Sequence, residues 1–218
     1  MTRLHIVLVS GLGLLLCFVL ASYLYRSDQA DRIEAIAGAI DSPLERPHSH
    51  GKGPADAEVV LIEFFDPACE TCRAFDPFVK KILATHPDTV RLVVRYAPFH
   101  RGSETMVKIL EAAALQGRFW EVLDVMYRFQ PQWASHHNPR PEKIWEFLPR
   151  AGVDVERIQR DMNDIRFVEI IEQDLADGRA LGVTRTPQFF VNGKPLQSFG
   201  YAQLQTLLES EIAKLYPQ

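Results

Sequence analysis

The chain has 218 residues, 47 % of them hydrophobic and 24 % charged, enough for one well-buried domain with additions. Its formal net charge of −4 argues against nucleic-acid binding and gives no sign of an acidic substrate. Three cysteines, Cys17, Cys69 and Cys72, are too few for a disulfide scaffold, so a close pair among them points to chemistry.

Residues 4–25 carry no charged side chain, with His5 the one weakly polar interruption. As a helix rising 1.5 Å per residue the stretch spans about 33 Å, against a hydrocarbon core of roughly 30 Å. We read residues 1–26 as a signal anchor with one transmembrane helix. The competing reading is a cleaved signal peptide, which has a shorter apolar core and a small-x-small site; Ala21-Ser22-Tyr23 is a poor one. Arg3 precedes the span, whereas Arg26, Asp28, Asp31 and Arg32 follow it with no net charge. The positive-inside rule then leaves the N-terminus in the cytoplasm. The rest of the chain is expected in the periplasm or outside the cell, held to the inner membrane by a single pass. That compartment tolerates disulfides. Cys17 reads as a small lipid-facing hydrophobe.

Residues 27–57 are polar and broken by Pro43, Pro47, Gly51, Gly53 and Pro54, as in a linker that spaces a domain from the membrane. His48 and His50 read as solvated rather than as metal ligands.

Glu58 to Phe65 is mostly aliphatic and aromatic, the composition of a strand buried on both faces. Glu63 is the anomaly. A core carboxylate is costly unless paired, and burial raises its pKa. It is either at an edge or a buried proton acceptor near the second cysteine of the motif that follows. That motif, Cys69-Glu70-Thr71-Cys72, stands at the mouth of a helix running to Thr85, with Pro77 inside it. Two cysteines so spaced can close a small disulfide ring. A helix start favours a thiolate on the first of them, and the thiolate is the attacking species in disulfide exchange. A zinc site needs two further ligands, and His48, His50, His86, His100, His136 and His137 show no second paired spacing. A copper-binding chaperone using both cysteines and one histidine is the alternative function.

Thr89 to Tyr96 reads as a second, parallel strand, with the preceding helix as its crossover. The cysteines then lie at the carboxyl end of the first strand, where open α/β sheets bind ligands. From Ser103, a candidate N-cap, to Leu181 the pattern is helical, with starts at Pro141, Asp154 and Asp164. Phe189 to Val191 is a strand, Asn192-Gly193 a hairpin signal, and Leu196 to Phe199 its expected partner. Tyr201 to Leu215 is an amphipathic helix.

The order Glu63-Phe64-Phe65-x-x-x-Cys69-x-x-Cys72-x-x-Phe75 resembles the active-site stretch of DsbA-like proteins of the thioredoxin superfamily. Asp76 matches an acid of that family, and Gly182-Val183-x-x-Thr186-Pro187 is similar to its cis-proline loop. The resemblance covers residues 53–216. It implies an α/β thioredoxin fold with halves at 58–102 and 182–218 and an inserted helical subdomain at 103–181. It implies a thiol–disulfide oxidoreductase with Cys69 as nucleophile, Cys72 as resolving thiol and Glu63 assisting proton transfer. Thr186 and Pro187 would hold the substrate chain, with a cis bond between them, and Glu70 and Thr71 fill the motif. No cofactor is expected beyond the Cys69–Cys72 disulfide. The expected partners are protein thiols and disulfides and a membrane redox protein that resets the pair; the chain is expected to be a monomer. Glu70 places a negative charge beside the thiolate. The Cys69 pKa is therefore expected nearer the ~7 of thioredoxin than the ~3.5 of DsbA, with a potential less oxidising than about −120 mV.

Overall fold

The structure is a computed structural model that describes residues 3–38, 42–134 and 139–215, the side chains at 3, 4 and 6–10 excepted. It begins with a long helix, α1 (Arg3–Ala37). Strands β1 (His50–Lys52), β2 (Val59–Phe65) and β3 (Val90–Tyr96) follow, with α2 (Glu70–Thr85) crossing between the last two. Next come α3 (Ser103–Ala114) and α4 (Phe119–Trp133), two 3₁₀ turns at Pro141–Glu146 and Leu148–Ala151, then α5 (Val155–Asp161) and α6 (Ile165–Ala180). The chain then forms β4 (Gln188–Val191), β5 (Lys194–Pro195) and α7 (Tyr201–Leu215). The sheet order is β1-β3-β2-β4-β5. β2 and β3 are parallel from Val59↔Val90 to Phe65↔Tyr96, and the other pairings are antiparallel. This is a thioredoxin-like α/β fold with a helical insertion between its halves.

The alternation of a strand assigns the two faces. Val59, Leu61 and Phe65 join the larger core with Cys72, Phe75 and Val79 of α2 and much of α3, α4 and α7. Ile62 and Phe64 face the smaller core, with Val93, Phe190, Leu181 and Leu44. Glu63 is in phase with Leu61 and Phe65, so it faces the helix that carries the cysteines.

The smaller core is closed by charge. Arg95 and Asp174 are completely buried and bonded at 2.7 Å, and Arg95 also reaches Asp177 at 2.6 Å and the Pro43 carbonyl at 2.5 Å. Residues 42–52 are thereby fastened rather than left as a spacer. Arg46 grips both oxygens of Asp177, His48 Nε2 lies 2.6 Å from Asp174, and Leu44 is buried. His50 Nε2 meets Glu111 at 2.8 Å while its ring stacks on Phe119, so the two histidines serve separate carboxylates. Among the described residues no group of histidines, cysteines and acids is placed to hold a metal ion.

Other expectations shift locally. Ser103 does not cap α3; Gly102 occupies that position with φ 80°, and the Ser103 hydroxyl turns inward to Asp66. The partner of β4 is Lys194-Pro195, not Leu196 to Phe199, because the Asn192-Gly193 turn (φ 47° and 82°) reverses the chain at once. Asp154 and Asp164 do cap their helices. Among the described residues no helix is long and apolar enough to cross a membrane. The expected span over 4–25 lies in α1 and falls partly on side chains outside the description. His136 and His137 also lie outside it.

Replacing Arg95 by Met removes the fully buried cation that Asp174 and Asp177 share and leaves them only the half-buried His48 and Arg46. We expect a loss of about 3–5 kcal/mol in denaturant unfolding, against ~1 kcal/mol for Arg46→Ala at the half-buried end of the cluster.

Candidate active site

The site forms where β2 ends. Asp66 follows the strand, is completely buried and accepts four hydrogen bonds. Its donors are Ala68 N–H, Ser103 Oγ–H, His100 N–H and His100 Nδ1, at 2.5–2.8 Å. They fix the Asp66–Cys69 turn against the loop after β3. Gln130 of α4 fixes it from the insertion, its Nε2 donating to the carbonyls of Pro67 (2.9 Å) and Cys69 (3.1 Å).

Cys69 is the N-cap of α2. Its backbone is extended (φ −73°, ψ 119°), and its sulfur accepts from Cys72 N–H at 3.4 Å. A sulfur thus takes the place of the usual cap oxygen, so the first turn of the helix is completed by the reactive atom itself. Cys69 is 5 % exposed and Cys72 not at all, which makes the first thiol the reachable one. Both are free thiols here.

The two sulfurs separate in acidity. Hydrogen bonding from the Cys72 thiol, followed by the Thr186 side chain and the N–H groups of Cys72 and Thr71, outweighs burial and brings Cys69 down to about 5. In the protonated form Sγ–H donates instead to the Thr186 carbonyl at 3.3 Å, which opposes ionisation without reversing the balance. Burial, then the hydrogen bond to Cys69, pushes Cys72 well above an ordinary thiol. Cys69 is therefore more acidic than the Glu70 charge alone suggests, because donors aimed at the sulfur dominate. Glu70 is half-buried in the first turn of α2, where a negative charge suits the helix dipole, and Thr71 is exposed.

Glu63 is buried beneath this pair. Burial first, then the charges of Asp76 and Cys69, raise its carboxyl to about 8. Its charge acts in turn on Cys72. An enclosed space of about 20 Å³, lined by Glu63, Asp76, Lys80, Trp120 and Tyr127 among others, has room for a single water. Lys80 bridges Asp76 (2.8 Å) and Asp124 (2.6 Å), so the polar lining leads from Glu63 toward the surface. Of the two readings of Glu63 open from sequence, the edge position is excluded by its pairing with Val94 on one side and Phe189 on the other.

The opposite wall is the loop before β4. The Thr186–Pro187 bond is cis, Pro187 is buried, and the Thr186 carbonyl faces Cys69 as described. Every site residue expected from sequence thus gathers at one end of the sheet. Asp66, His100, Ser103 and Gln130 carry no signal of this role in the sequence. Their partners are distant in sequence, and no periodicity or spacing marks such pairs.

A strand-borne turn, a helix capped by a cysteine sulfur and a facing cis-proline loop thus bring a dithiol to the end of a thioredoxin-like sheet. A thioredoxin family model matches residues 45–210, and the chain belongs to that family. A thioredoxin-like oxidoreductase from Silicibacter pomeroyi is similar to it at 27 % identity and TM-score 0.68, over 79 % of this chain and 97 % of that one. A linker-deletion variant of Proteus mirabilis ScsC, 19 % identical, shares the fold over 98 % of both chains at TM-score 0.73. Among curated relatives, a Na(+)/H(+) antiporter NhaA of Herminiimonas arsenicoxydans is 32 % identical over 172 residues, which are 78 % of this chain and 27 % of that protein. The chain spans about a quarter of the length of the curated relatives it matches.

Glu63 also predicts a stability effect. Its carboxyl ionises near 4.5 when unfolded but near 8 when folded, so the folded state is fully favoured below pH 4.5. That advantage is lost as pH rises through 8. We expect Glu63→Gln to leave stability nearly unchanged at pH 4 and to raise it by roughly 3–5 kcal/mol at pH 8, measured by urea unfolding of the reduced protein.

Proposed function

We propose that the protein is a membrane-anchored, extracytoplasmic thiol–disulfide oxidoreductase that exchanges a Cys69–Cys72 disulfide with protein substrates, chiefly as a donor. The observation that carries this reading is the Cys69 sulfur. It is held by the Cys72 N–H at 3.4 Å, faces the Thr186 carbonyl at 3.3 Å and is acidic, while Cys72 beside it is buried and is not.

The exchange follows from that asymmetry. A substrate thiolate attacks Cys69 Sγ of the disulfide; the new bond is a mixed disulfide, and Cys72 leaves as a thiolate. The protonated carboxyl of Glu63 supplies the proton Cys72 needs, and the Asp76 side of the enclosed space returns it. A second substrate thiolate then attacks the substrate sulfur, closing the substrate disulfide and releasing Cys69. A low thiol pKa makes Cys69 the better leaving group in this step. The enzyme pair is now a dithiol and the substrate is oxidised by two electrons. A membrane redox partner accepts those electrons and restores the disulfide, so the pair itself serves as the redox group and no other cofactor is invoked. Thr186 and Pro187 provide the wall along which the substrate chain lies.

Anchoring is supported by the uncharged run at 4–25 and by exposed Leu14, Phe18 and Tyr23 along α1. The charge bias at its ends supports an orientation with the site in the periplasm or outside the cell. The antiporter relatives share only a quarter of their length with this chain, and ion transport forms no part of this function. The copper-chaperone reading draws no support from the described side chains.

In cells, Cys72→Ser is expected to accumulate mixed disulfides through Cys69, visible on non-reducing gels and released by reductant. Cys69→Ser is expected to form none and to lose peptide-oxidation turnover. Unchanged turnover in Cys69→Ser sinks the proposal.

A further inference from the structure

The motif places an acid, Glu70, beside the thiolate and no base within it. Charge of the opposite sign is available from the neighbouring strand. β2 and β3 run parallel and in register to Phe65↔Tyr96, and Ala97 N–H donates to the Phe65 carbonyl at 2.8 Å. The chain leaving β3 therefore travels beside the chain leaving β2. Three residues past Ala97 it presents His100 at the turn that three residues past Asp66 presents Cys69. His100 is locked there by two bonds to one carboxylate oxygen, from its own N–H and from Nδ1, both 2.8 Å. An ionised carboxylate only accepts, so Nδ1 carries a proton toward Asp66. The imidazole is 22 % exposed and Asp66 is not exposed at all.

We propose that His100, held by Asp66, is the cationic partner of the Cys69 thiolate and offsets the Glu70 charge within the active site. This rests on the redox reading of the cysteine pair. The imidazole is held above its ordinary pKa, first by the hydrogen bond to Asp66 and further by the charges of Asp66, Cys69 and Glu70. The charged groups that raise it come from two elements: Asp66 from the end of β2, and Cys69 and Glu70 from the start of α2. Ser103 of α3 meets it only through Asp66, and Arg101, next along the chain, is exposed. Cys69 ionises near 5 and His100 above an ordinary imidazole, so there is a pH interval in which both charges are present together. His100 is a tuning residue that acts through field and position, not a group that exchanges sulfur.

Coupling of this kind is reciprocal: the thiolate must raise His100 by as much as the imidazolium lowers Cys69. The full-length protein in detergent, labelled at histidine, is titrated by NMR as the dithiol, as the disulfide and as Cys69→Ser. The His100 signal is identified by its loss in His100→Asn. We expect its midpoint to fall by roughly half a unit or more from the dithiol form to the other two. Thiolate absorbance should show the Cys69 midpoint rising by a matching amount in His100→Asn, where an amide N–H can still bond Asp66. A His100 midpoint that is the same in dithiol, disulfide and Cys69→Ser overturns the proposal without reliance on any His100 variant. So does a Cys69 curve unmoved in a folded His100→Asn. A failed exchange assay with a clear His100 response would instead count against the enzymatic reading alone.

Discussion

The parallel pairing of β2 with β3 is the constraint on which the site depends. The seven matched pairs bring two carboxyl ends to the same level, and the turn bearing Cys69 and the loop bearing His100 both start there. The antiparallel register of β4, with Gln188 opposite Phe64, sets Thr186 and Pro187 beside the same end. Three chain segments far apart in sequence thus meet at one end of the sheet. Hydrogen bonds then set the detail: Asp66 ties the two parallel exits together, and Gln130 ties the turn to the helical insertion.

The two faces of the sheet treat buried charge in opposite ways. Arg95 is surrounded by Asp174, Asp177 and a carbonyl, so its charge is neutralised and hydrogen-bonded. That cluster fastens residues 42–52 and closes the smaller core. Glu63, one residue out of phase with Phe64 on β2, has no such cation and keeps its proton instead. A carboxyl that is neutral near pH 7 and coupled to Cys72 is suited to trade a proton with a leaving thiolate. The first arrangement closes the smaller core; the second costs stability as pH rises and lies beneath the two cysteines. Local consistency is relaxed at the site, as expected of functional positions.

Much of this was legible in the residues. The apolar run of β2, the helical spacing after Cys72, the Asp154 and Asp164 caps and the Asn192-Gly193 turn are local signals, and each formed what it specified. Glu63 was visible as an anomaly because one acid interrupts an apolar strand. The cis bond at Pro187 came from resemblance, since nothing local distinguishes it. What escaped were polar pairs distant in sequence. Ser103 has the residue type of a cap, but its hydroxyl answers a carboxylate 37 positions away. Residues 42–52 have a linker's composition, yet Arg46 and His48 find acids more than 120 positions downstream. Composition shows which residues can pair, and only the assembled fold shows with what.

The proposed exchange at Cys69–Cys72 rests on a thiolate held by the start of α2 and the facing loop. Its most direct test is equilibration of the purified protein in glutathione buffers of stepped ratio, with the disulfide quantified by mass spectrometry. A Cys69 ionisation near 5 lies between those of thioredoxin and DsbA, about 7 and 3.5. Their potentials, about −270 and −120 mV, then place this pair on the order of −180 mV. A single two-electron transition near that value is the predicted result. A pair that never closes to the Cys69–Cys72 disulfide, or one with a midpoint at either of those limits, contradicts the account.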